Sequence, residues 1–88
     1  MTGMLLKIIY KWGPINFKPV PIKGRVVHVG LQNGDLFVWT EQEVNSDKVY
    51  HTKLVRFCPT GDEYVGQYHG TVVMPSGFVW HLIEDEPQ

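Results

Sequence analysis

A chain of 88 residues has room for one core, so residues 1–88 are expected to fold as a single domain. Formal net charge is −1 with both signs interspersed, which leaves no basic face for a general grip on a nucleic acid polymer. Cys58 is the one cysteine, so an intramolecular disulfide is excluded, and a reducing compartment fits better than a stapled secreted domain.

Turn signals recur at short intervals, and runs rich in Val, Ile, Tyr, Phe and Trp lie between them. No window holds a 3.6-residue apolar period. The expected fold is therefore all-β: a single small antiparallel β-sandwich, or a curled, barrel-like sheet, of about six short strands. The opening "MTGMLLKIIYKW" lacks a basic leader and a small-residue cleavage site and is too short to cross a bilayer. It reads as a first strand, Leu5–Trp12, with no membrane role. Pro14, Pro19 and Pro21 follow, and because proline donates no ladder bond this stretch reads as an edge or an extended connection. Strands at Arg25–Leu31 and Leu36–Glu43 flank Asn33-Gly34, the pair that supplies positive φ to a type I′ hairpin turn. Later strands are expected at Val49–Phe57, Tyr64–Met74 and Phe78–Glu84, the last entered through Pro75-Ser76-Gly77, and the tail should fray.

Strand alternation sorts the faces. Phe78, Trp80 and Leu82 share one side and Val79, His81 and Ile83 the other; Phe37 and Trp39 oppose Leu36 and Val38. With both sides largely apolar, either the sheet closes on itself or another subunit covers it, and a homo-oligomer is expected. Gly66 and Gly70 are expected to mark bulges or bends.

His28, His51, His69 and His81 lie on separate runs without HxH or HxxxH spacing, so no metal site is expected. His28 should share a side with Val26, and His81 with Val79 and Ile83, each hydrogen-bonding a backbone carbonyl. Cys58 reads as an inert small thiol at a strand end. No GxGxxG, P-loop or GxSxG is present, and no residue group fills the roles of acid, base and nucleophile. The expectation is no catalytic residue, no cofactor and no enzyme. In "FCPTGDEYVG", residues 57–66, Thr60, Gly61 and Arg56 could hold an anion, but a Pro-x-Gly turn explains the same residues.

"IIYKW", "PIKGRVVHVGLQNGDLFVW", "RF…TG" and "YVGQYHGTVVMPSGFVWHLIE", in this order, resemble a family of short proteins found mainly in bacteriophages and prophages. The resemblance covers nearly the whole chain. Two stretches depart from it: Pro59-Thr60-Gly61 stands where the family has Gly-Thr-Gly, with Asp62 where a histidine often follows, and "YVGQYHGTV" replaces a shorter "YIGT". The resemblance implies a compact β protein of phage origin in the host cytoplasm, and implies no activity. The expected function is non-enzymatic binding, as an antagonist of host defence that sequesters a small, cyclic nucleotide signal. Arg25, Arg56, Trp39, Trp80, Thr60 and His81 are its candidate ligand residues, since aromatic faces suit bases and cations suit phosphates. The alternative is a protein–protein module that inhibits a host protein or serves in the virion. An uncovered apolar sheet face would mark the alternative, and a concave pocket the former.

Overall fold

The computed structural model describes residues 4–86. Seven strands form two antiparallel sheets: β1 (Lys7–Trp12), β2 (Val20–Ile22), β3 (Arg25–Gln32), β4 (Asp35–Glu43), β5 (Lys53–Pro59), β6 (Gly66–Val73) and β7 (Val79–Asp85). Sheet A has the order β1-β4-β3 and sheet B the order β2-β5-β7-β6. The all-β expectation holds, and the architecture is a small open sandwich rather than a closed barrel. Among the described residues no helix is long and apolar enough to cross a membrane.

The β3–β4 turn is the one the sequence demands: Asn33 has φ 54° and Gly34 φ 83°, both positive as a type I′ turn requires. The proline-rich stretch does form an edge, since β2 carries Pro21 and pairs only with β5. The chain reaches it by bridging the sheets. Ile15 N–H donates to the Leu36 carbonyl at 2.9 Å, and the next residue's carbonyl, on Asn16, accepts from Phe57 N–H at 2.9 Å. The sheets meet again where β3 lies beside β6. There a Cβ on Gly70 would stand 2.7 Å from a Val29 methyl, so the approach needs glycine.

Eight side chains make the core: Leu36 and Val38 from sheet A, Ile22, Val55, Phe57, Val72 and Leu82 from sheet B, and Ile15 from the bridge. Thr40 is buried among them without cost. Its hydroxyl accepts from Trp12 Nε1–H at 2.8 Å and donates to the Lys23 carbonyl at 2.7 Å.

Two expectations are corrected. Tyr64 and Val65 do not begin a strand. β5 and β6 both run antiparallel to β7, one on each side of it, with Pro59 opposite Trp80 and Gly66 opposite Asp85. Residues 60–65 must therefore travel the length of β7, and with the inner side filled by the core they strap across its outer face. This accounts for the full burial of Ile83 and Cys58, which point outward from the sheet. The strap begins as the expected turn, with Asp62 N–H donating to the Pro59 carbonyl at 3.2 Å and Gly61 at φ 100°. Second, His28 does not share a side with Val26. A bulge between them shifts the register, so that Val26 opposes Thr40 and His28 opposes Trp39. Val26 packs inward on the core and His28 faces out.

Candidate functional site

The six candidate residues fall on three surfaces. On the outer face of sheet B, β7 presents His81 between its register partners Cys58 on β5 and Thr71 on β6. Thr60, at the start of the strap, shares a 2.7 Å hydrogen bond with His81 Nε2, and Thr71 shares one of 2.9 Å with Nδ1. A short hydrogen bond continues from Thr71 to the Tyr68 hydroxyl. A neutral imidazole has one donor and one acceptor nitrogen, so one threonine donates and the other accepts. The His81 imidazole is thus held by two side-chain hydroxyls rather than by a backbone carbonyl as the sequence suggested, and His69 bonds the Glu84 carboxylate at 2.9 Å. On the same face Arg56 is held by Asp85 at 3.0 Å. Burial pushes the Cys58 thiol above its ordinary range, with Asp62 and Asp85 adding to this against the opposing pull of Arg56.

Arg25 and Trp39 belong to the outer face of sheet A. The guanidinium bonds Glu41 at 2.9 Å, and it holds that carboxyl below the ordinary glutamate range, with help from Lys7. Trp39 lies 5.1 Å from the His28 ring and 6.2 Å from Phe37, and the Lys11 ammonium stands 5.1 Å from the Phe37 centroid. Trp80 is on neither outer face. It packs against the core, and its indole N–H donates to Met74 Sδ at 3.1 Å. Beside it is a small open recess of about 410 Å³ formed with Phe17 and the bridge.

A larger cleft of about 1090 Å³ opens between β5 and the strap. Its charged lining is Lys53 and Arg56 against Glu63, Glu84, Asp85 and Glu86, a surplus of acid that disfavours phosphate. Among the described residues no three His, Cys, Asp or Glu side chains gather as a metal site.

Sequence reasoning missed one surface. β1 and the end of β4 form an arm in which β1 makes its extensive contacts with β4 and with no strand of sheet B. Residues Met4–Leu6 prolong β1: Val44 N–H donates to the Leu6 carbonyl at 3.0 Å, and the Asn45 amide bonds both Leu6 N–H and the Met4 carbonyl. On the inner side of this arm Leu6, Ile8, Tyr10 and Val44 are 37–52% exposed, and β1 packs extensively against β4 alone. On the outer side Leu5 and Ile9 are exposed as well. The signal was the run "MLLKIIY", apolar at both parities and too long for the core of so small a domain.

A family model described as a domain of unknown function, DUF7352, matches residues 9–88. No curated protein and no solved structure matches the chain. The chain belongs to the DUF7352 family.

Proposed function

We propose that this family member is a non-enzymatic binding module that holds a protein partner, and that its working surface is the inner face of the β1 arm. The observation that carries the reading is the row Leu6, Ile8, Tyr10 and Val44, apolar side chains on one sheet face that stay about half exposed and outside the core cluster. Contiguous exposed apolar surface of this kind is characteristic of protein contact sites. The phage origin implied by the sequence resemblance makes a host protein the partner class.

Nucleotide sequestration is the second reading. Its support is the outer face of sheet A, where Trp39 and Phe37 lie among Lys11, His28 and Arg25. Against it stand the scatter of the six candidates over three surfaces and the acidic surplus of the larger cleft.

One pair of experiments separates them. A photo-crosslinking residue at position 10 should join the chain to one bacterial protein, and Val44→Asp, on the same face but on another strand, should abolish the adduct while the β spectrum is unchanged. A thermal-shift screen with cyclic dinucleotides, cyclic trinucleotides and cyclic ADP-ribose isomers should leave the midpoint in place. Ligand at one hundred times Kd would add about 2.7 kcal/mol of stability. Such a shift, lost in Trp39→Ala and kept in Val44→Asp, would replace the protein-partner reading with nucleotide sequestration.

A further inference from the structure

We propose that the free edge of β1 pairs with the same edge of a second copy of this chain, antiparallel about a two-fold axis at Ile8. The inference deepens the binding-module reading, on which it rests for its purpose: pairing would double the apolar arm into one continuous floor.

The backbone sets which groups are available. Leu6 N–H and C=O both turn toward β4 and its continuation, where they meet Asn45 and Val44. In an antiparallel ladder a residue's two backbone groups share a direction and alternate along the strand. Those of Lys7, Ile9 and Lys11 therefore point away from β4, into a row of donors and acceptors without a strand beside it. Such an edge is a template for another strand unless something blunts it.

The other edges are blunted. β3 carries the bulge between Val26 and His28 and is shielded by β6. β6 carries its own bulge between Tyr68 and Gly70. β2 is three residues long and contains a proline. β1 has no bulge and no proline; Lys7 and Lys11 are its exposed charges, and the other exposed side chains, at positions 8, 9 and 10 and at 4, 5 and 6 just before it, are apolar.

Charge selects the register. A two-fold axis at Ile9 would set Lys7 directly against Lys11 of the second copy, twice over, and opposed like charges destabilise a strand pair. Moving the axis to Ile8 removes both clashes. Ile8 then meets its own symmetry mate, Leu6 meets Tyr10 of the second copy, and the lysine stems lie against Ile9 and Leu5. The outward groups of Leu5, Lys7, Ile9 and Lys11 all find partners. An axis at Tyr10 also avoids the clash, but it leaves Met4, Leu5 and Leu6 outside the overlap.

Surface area agrees. The chain exposes 6184 Å². A folded monomer of 10.1 kDa exposes about 5300 Å² by the usual size scaling. The excess of roughly 900 Å² is close to the ~800 Å² that each partner contributes to a stable interface.

Light scattering across a dilution series should give twice the mass of the chain for the wild type. Ile9→Pro should give the monomer with the same β spectrum, because it deletes an outward N–H and leaves the β4 ladder intact. Ile8→Cys should cross-link to itself under mild oxidation in a Cys58→Ser background, since Ile8 faces its mate in a close, non-hydrogen-bonded pair. Ile9→Cys should not, as it stands opposite Lys7 of the second copy. A monomeric wild type, a dimer unaffected by Ile9→Pro, or a cross-link through position 9 instead of 8 would each overturn the proposal. The outcome is separable from that of the partner reading: Val44→Asp lies off the edge and should leave the dimer intact while removing the captured protein.

Discussion

At the scale of single residues, the buried hydroxyl of Thr40 ties three segments together. It accepts from the Trp12 indole and donates to the Lys23 carbonyl, joining β1, β4 and the turn before β3. Thr40→Val keeps the shape but leaves the Trp12 indole N–H without its acceptor at a site of zero exposure, while the Lys23 carbonyl keeps the 3.2 Å hydrogen bond it accepts from the Gln42 amide. The expected loss is about 2–3 kcal/mol, seen as a lower urea midpoint with an unchanged slope. Thr40→Ser keeps both hydrogen bonds and should lose only about 1 kcal/mol, the value of a buried methyl. Glu41 offers a test of a different kind. Arg25 holds its folded-state carboxyl below the ordinary range, so the pair stabilises the fold above that range and stops doing so as pH falls through the lowered folded value. Both partners are solvent-accessible and the effect on stability is small, so the readout is an NMR titration of the Glu41 side chain. Arg25→Ala should move that titration upward, toward ordinary glutamate.

At the scale of elements, the strap explains a cysteine. Cys58 faces outward from β5 yet is 2% exposed, because the residue 60–65 connection crosses the sheet above it. Its thiol should react with an exposed-thiol reagent only through opening of the strap, far more slowly than in urea-unfolded chain. Replacing Thr60 with Ala removes the contact to His81 that anchors the strap's first turn, and should speed the reaction while the unfolded-state rate stays the same. Burial also raises the thiol's folded-state titration, so the fold should lose stability as pH climbs from the ordinary thiol range toward that raised value. Much of the element pattern was legible. Alternating β-branched and aromatic residues located β1 and β3 to β7 to within a few residues, and Asn33-Gly34 identified its hairpin because only a few residue pairs tolerate two positive φ values. The strap was not legible, since "TGDEYVG" has the composition of a hairpin turn, and whether β5 and β6 are neighbours or flank a third strand is decided by long-range pairing. The same holds for the outward turn of His28, where the bulge that flips it carries no glycine or proline to announce it. The candidate residues were legible as residue types but not as a site: the sequence cannot say that Arg25 and Trp39 share one outer face, Arg56, Thr60 and His81 another, and that Trp80 turns inward.

At the scale of the whole molecule, the arm has a thermodynamic consequence. The radius of gyration is 14.5 Å, against about 12 Å for a compact chain of this length, and the extents are 52 × 33 × 15 Å. A core of eight side chains supports the body, while the arm keeps its apolar residues in water. A domain of this size has a stability of about 4–9 kcal/mol, so an interface that covers the arm supplies a substantial fraction of what holds the chain folded. A dimer that dissociates on unfolding gains stability with concentration by mass action. The midpoint of thermal unfolding of the wild-type chain should therefore rise steadily over a hundredfold increase in protein concentration. That of Ile9→Pro should stay flat and lie below the wild-type value, because its intrachain ladder is intact and only the contribution of the second copy is gone. A wild-type midpoint independent of concentration would mean that the body is stable alone and that the apolar arm is left entirely for a different partner.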